Sequence, residues 1–117
     1  MEPEPKALAD ILLALENASR ATARPAMARL LAVSKTRSPT EIAALAASGQ
    51  CAFGENYVQE ALPKIDALRS LGLEWHLIGH LQSNKADVAA RAFDWVQSVD
   101  RPKLVSALAR HRPAELP

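Results

Sequence analysis

The run Leu30-Leu31-Ala32-Val33, apolar without a break and closed by Ser34-Lys35-Thr36 and then Ser38-Pro39, most narrowly restricts what this 117-residue chain can fold into. A short apolar run ended by turn residues predicts a strand buried on both faces, which belongs in a parallel sheet covered by helices. Functional groups in such sheets gather at the carboxyl ends of the strands, and Lys35 stands at that end. Side chains alternate along a strand, so Lys35 shares a face with Val33 and Leu31. Two readings of Lys35 are open at this point. In one, its amine emerges from an apolar wall and acts as a nucleophile toward a carbonyl. In the other, it ends a strand and reaches water.

Around that strand the pattern repeats. Leu8, Ile11, Leu12, Leu15 and Ala18 have the spacing of an amphipathic helix over about 6–20, with Pro3 and Pro5 ahead of it and a connector over Thr22 to Pro25 behind. Ser38-Pro39-Thr40-Glu41 supplies a capping hydroxyl and a first-turn proline to a helix through Ile42 and Leu45 that stops at Gly49. Cys51-Ala52-Phe53 predicts a second strand with Gly54-Glu55-Asn56 at its carboxyl end. A helix follows from about Asn56 to Leu71, with a kink or restart expected at Pro63 and a stop at Gly72. Glu74 to Ile78 predicts a third strand, left through the loop Gly79 to Lys85 and a short helix. Phe93 to Val99 predicts a fourth, and Asp100-Arg101-Pro102 opens a last helix through Leu104 and Leu108. Strands alternating with helices at roughly 20 to 25 residues predict parallel α/β architecture. Arg112 to Pro117 reads as a linker toward a further strand.

Composition bounds the function. At 49% apolar and 4% aromatic, the chain predicts one domain whose core is built from Ala, Leu, Val and Ile. A net charge of +1 argues against a nucleic-acid surface, which needs a concentrated basic face. Cys51, the single cysteine, has no partner for an internal disulfide and fits a reducing cytosol. No targeting signal and no bilayer-length apolar stretch is visible, so no membrane is expected. No strand is followed by G-x-G-x-x-G or a P-loop, which argues against dinucleotide or nucleoside-triphosphate binding.

The strand ends supply the candidate chemistry: Ser34 and Lys35, then Glu55 and Asn56, then His80 with Gln82 to Lys85, then Ser98 and Asp100. Polar residues at one end of successive parallel strands are what a barrel-mouth site requires, although loops are polar in any case. His76 and His80 would make a metal half-site on a helix, but on a strand they lie about 13 Å apart, too far to share one ion. His76 reads as a buried or helix-facing residue and His80 as the one nearer a ligand. Lys85 either acts on Lys35 by like-charge repulsion, holds a phosphate, or is a solvated lysine at a helix start. Cys51 reads as a small core residue, and Trp75 and Trp95 as fillers between sheet and helices. Tyr57 falls within the predicted second-strand helix. Lys6, Lys64 and Lys103 read as surface lysines.

Taken together, Leu30 to Thr36, Phe53-Gly54-Glu55-Asn56-Tyr57-Val58-Gln59-Glu60, Trp75 to Lys85 and Ser98-Val99-Asp100-Arg101 resemble the pyridoxal phosphate homeostasis protein family. The resemblance implies the first four or so βα units, about 28–113, of a (β/α)8 TIM barrel of the alanine racemase type, with the extra N-terminal helix supplied by about 6–20. It makes 1–117 one partial-barrel domain that lacks the C-terminal half. It further implies pyridoxal 5'-phosphate as the cofactor, held by Lys35 as a Schiff base, with Asn56, Asn84, Lys85 and His80 near the cofactor mouth. The implied role is non-catalytic, intracellular homeostasis of the cofactor, with PLP-dependent apoenzymes as possible recipients. Members of the family are roughly twice as long, and the half not present here carries the serine and arginine-glycine segment that grip the phosphate. Two other readings stand beside it: a racemase or aldolase using the same lysine together with a second acid/base residue, and an interaction module that pairs its open sheet edge and binds no cofactor.

Overall fold

The computed structural model describes residues 5–22 and 28–116. Pro3 and most of the expected Thr22–Pro25 connector lie outside the described residues. Helix α1 (Pro5–Ala21) comes first. Then follow β1 (Ala32–Val33), α2 (Pro39–Ala47), β2 (Ala52–Glu55), α3 (Val58–Ala67), β3 (Glu74–Leu77), α4 (Ala86–Ala92), β4 (Trp95–Val96) and α5 (Pro102–His111), with short 3-10 turns at Arg69–Leu71 and Ser83–Lys85. The strands form one parallel sheet in the order β1-β2-β3-β4. This is the α/β arrangement of the N-terminal part of a TIM barrel: each strand is followed by a helix and pairs beside the one before it.

Local chemistry accounts for the element ends. Ser38 caps α2 by accepting from the Glu41 N–H, while the Glu41 carboxylate accepts from the Ser38 N–H, and Pro39 occupies the first turn. Helix α3 is continuous through Pro63, so of the expected kink or restart there is no restart, and it ends ahead of Gly72, whose φ of 64° closes the following 3-10 turn. Backbone pairing continues past the strands at the carboxyl edge. Ser34 N–H donates to Gly54 O, Ile78 N–H to Glu55 O and Gln97 N–H to Leu77 O, each at 2.9 Å.

The register Ala32↔Phe53↔Trp75 places one set of side chains toward the helices, and Val33↔Gly54↔His76↔Trp95 places the other on the opposite face. The core lies on the first side. Phe53, Trp75, Leu77, Leu81, Phe93 and Leu104 are buried there with alanines of α3, α4 and α5, and the Phe53 and Trp75 rings sit 5.8 Å apart. Few aromatics are needed because small alanines let the helices approach the sheet closely.

Several sequence expectations are corrected on the other side. Val33 is 53% exposed, so β1 is not buried on both faces. It is an edge strand, and among the described residues no second layer lies over its inner face. Trp95 does not fill the space between sheet and helices: it is 57% exposed and stacks on His76, rings 5.9 Å apart and 8° from parallel. His76 is buried as expected but on the face away from the helices. Cys51 is exposed, because β2 begins one residue later. Phe93 belongs to the end of α4 and points into the core, which shortens β4 to two residues. Helix α1 forms as the periodicity requires, with Leu8 buried, but Ile11 remains 47% exposed.

This two-sided arrangement predicts a sharp contrast. Leu77→Ala should lower unfolding free energy by about 2–5 kcal/mol in denaturant titration, since it empties a fully buried site. Val33→Thr should change it by no more than about 0.5 kcal/mol.

Candidate functional site

The β1–α2 turn carries Ser34, Lys35 and Thr36. Arg37 N–H donates to Ser34 O at 3.0 Å, closing the turn. Thr36 has φ 64°, and among the described residues no other non-glycine residue has positive φ. For a β-branched residue this conformation costs about 1–3 kcal/mol and persists only where its surroundings impose it. Lys35 beside it is exposed, so of the two readings open from the strand pattern its side chain takes the one that reaches solvent.

The imposing groups lie under the turn. Ser34 is buried, and its hydroxyl contacts Gly54 O and the Glu55 carboxylate. Glu55 is 0% exposed and faces the helices, not the strand-end mouth where the sequence placed it. Lys64, expected on the surface, is only 6% exposed. Its ammonium donates to Ser34 O at 2.8 Å, to Glu55 at 3.0 and 3.1 Å and to Glu60 Oε1 at 3.1 Å, which uses every direction a lysine can donate in. Glu60 in turn accepts the Thr36 N–H at 2.6 Å. That N–H bond, then Lys64 and, more weakly, the charge of Lys35 hold the Glu60 carboxyl below its ordinary value of 4.5.

At the end of β2, Asn56 Oδ1 is a buried side-chain oxygen with no hydrogen-bond partner among the described residues. Its backbone packs against Gly79, where a Cβ would fall 2.1 Å from Asn56 O. Beyond it a cleft of about 290 Å³ is lined by Tyr57, Val58, Gln59, His80, Leu81, Gln82 and Lys85. His80 lies 4.0 Å from Asp100, and the 3-10 turn Ser83–Lys85 brings Lys85 to the rim. Of the predicted site residues, His80 and Lys85 thus share one cleft. Asn84 is exposed on the same turn but does not line it, nor does Lys35. His76 is engaged elsewhere, with Glu74 at 2.7 Å and Gln97 at 2.9 Å. Tyr57 is not inside a helix: it is the extended residue capping α3, 66% exposed on the cleft.

The sequence reading puts Glu55 at the mouth and misses Glu60 and Lys64. Glu60 and Lys64 stand four apart on α3, a spacing that ordinarily marks a solvated pair. Only the parallel register, which buries Glu55 against them, separates this pair from a surface one.

The comparisons decide the family. A pyridoxal phosphate homeostasis protein of Escherichia coli K12 is 48% identical over 103 residues, 86% of this chain and 44% of the relative, and one of Pseudomonas aeruginosa is 46% identical over 94% of this chain and 48% of the relative. This chain belongs to the pyridoxal phosphate homeostasis protein family. It spans about half the length of the curated relatives it matches. PipY of Synechococcus elongatus PCC7942, solved with PLP bound, is 42% identical with a TM-score of 0.69 over 83% of this chain and 47% of PipY. A Bifidobacterium adolescentis structure is 30% identical with a TM-score of 0.78, covering 91% of this chain and 48% of its own. No family model matches the chain.

Two measurements check this geometry. Gly79→Ala should displace the β2 and β3 ends and destabilise the fold by more than about 2 kcal/mol, because the new methyl meets backbone rather than a movable side chain. Glu41, Glu60 and Glu74 all have carboxyls held below their ordinary value of 4.5, chiefly by the Ser38 N–H, the Thr36 N–H and Arg29 respectively. A lowered folded-state value means that the unfolded chain binds more protons. Stability should therefore be flat above about pH 5 and fall as pH drops through and below 4.5, with a shallower acid limb in Glu60→Gln.

Proposed function

We propose that this chain binds pyridoxal 5'-phosphate through Lys35 and takes part in cytoplasmic homeostasis of that cofactor without catalysing turnover. The Lys35 Nζ adds to the aldehyde carbon and water leaves as the carbon–nitrogen double bond of a Schiff base forms; hydrolysis reverses it. The observation that carries the reading is the β1–β2 register, which sets the exposed amine of Lys35 and the unpartnered Asn56 oxygen at the same carboxyl edge of the sheet. Supporting it, PipY was solved with PLP bound and is 42% identical over 83% of this chain. Lys85 provides positive charge and His80 a ring N–H donor for an anionic group at the rim, with Asn84 on the same turn. When bound, the cofactor supplies a reactive aldehyde; the protein's part is to keep it reversibly occupied and to release it to PLP-dependent apoenzymes. Among the described residues no helix is long and apolar enough to cross a membrane. The domain as proposed is one partial barrel.

One observation favours a second reading. A racemase or aldolase using Lys35 needs another acid/base group, and Tyr57 stands exposed on the cleft beside His80 and Lys85.

Incubation with pyridoxal 5'-phosphate, borohydride reduction and peptide mass spectrometry test both. Labelling concentrated on Lys35, and lost in Lys35→Ala, is the expected result. Labelling spread evenly over exposed lysines such as Lys6 and Lys103 would sink the proposal. Amino-acid turnover that disappears in Tyr57→Phe would establish the enzyme instead.

A further inference from the structure

We propose that Glu60 and Lys64 are positioning residues: they clamp the residues on either side of Lys35 and so fix the direction in which its amine is presented. The proposal rests on the reading of Lys35 as the cofactor lysine. Lys64 donates to Ser34 O, immediately before Lys35, and Glu60 accepts the Thr36 N–H, immediately after it; the two clamping groups are themselves bonded at 3.1 Å. The pair is anchored from below by Glu55, which is fully buried and bonded to Lys64 and to Ser34.

A left-handed threonine is the mark of such a clamp. Left to itself, Thr36 would relax toward negative φ, and the turn would swing Lys35 with it. A strained non-glycine residue is kept where local geometry matters more than local stability, and here the strained residue is the direct neighbour of the lysine. Glu60 and Lys64 bond to the backbone on either side of Lys35, so the influence they have on its amine passes through the turn.

The test compares reductive labelling by pyridoxal 5'-phosphate at Lys35 with labelling at the exposed Lys103 in the same sample, together with hydrogen exchange at the Thr36 amide. Glu60→Ala should lower the Lys35-to-Lys103 ratio about tenfold and unprotect the Thr36 amide, while sheet amides such as Ile78 stay protected. Glu60→Gln keeps an acceptor for the Thr36 N–H and should recover most of the lost ratio. Adding Thr36→Gly to Glu60→Ala should also recover it in part, because glycine enters the left-handed region without strain. A clamp that served stability alone would show no such recovery. An unchanged ratio in a folded Glu60→Ala protein overturns the positioning role and leaves Lys35 as the cofactor lysine. Should wild-type protein label Lys35 no better than Lys103, the cofactor reading and the proposal fall together.

Discussion

The pairing of Lys64 with Glu55 beneath the first strand end is the interaction on which the rest of the carboxyl edge depends. Two opposite charges taken out of water are tolerated only when each keeps its full set of partners. Here the requirement organises its surroundings. The ammonium needs three acceptors and finds them in Glu55, Glu60 and the Ser34 carbonyl; the Glu55 carboxylate takes Lys64 and the Ser34 hydroxyl. Satisfying one buried pair thereby ties β1, β2, α3 and the turn between β1 and α2 to a single point. Removing either partner would strand a charge in the interior, which ordinarily costs about 3–5 kcal/mol.

The sheet places that point where it is useful. Parallel strands in the order of the chain put every strand-to-helix turn on one edge, so groups far apart in sequence converge without any long connection. The helix side of the sheet closes into a core of leucine, phenylalanine, tryptophan and alanine, while the opposite face carries Val33 and Trp95 exposed, with His76 buried against the Trp95 ring. A chain that spans about half of its relatives would be expected to show this asymmetry, because in a closed barrel the inner face is filled by side chains from all the strands.

Most of the architecture was legible in the sequence because it follows from period and punctuation. The strand ending at Val33, the cap of α2 at Ser38 and the turn closed by Gly72 each follow local rules, whereas the burial of that strand on both faces does not hold. What was not legible depends on which face of a strand a residue takes. Shifting the β2 boundary by one or two residues moves Glu55 from the mouth into the interior and leaves Cys51 outside, since side-chain direction reverses at every step. The same rule puts Trp95 on the face opposite Trp75. Tyr57 was misplaced for a smaller reason: the helix begins at Val58, and a cap residue presents its side chain differently from one inside the helix. Strand pattern and family resemblance single out Lys35 as a candidate, but the lysine beneath it is invisible to them, because its three acceptors come from three separate segments.

The unequal surroundings of the two tryptophans give the molecule a built-in optical gauge. Trp75 is sealed beside Phe53 and hardly senses solvent, whereas Trp95 lies open on the inner face against the His76 ring. Whatever settles on that face dehydrates one indole and leaves its sister as an internal standard, so emission colour alone can report, without any attached dye, when the inside of the sheet has been covered.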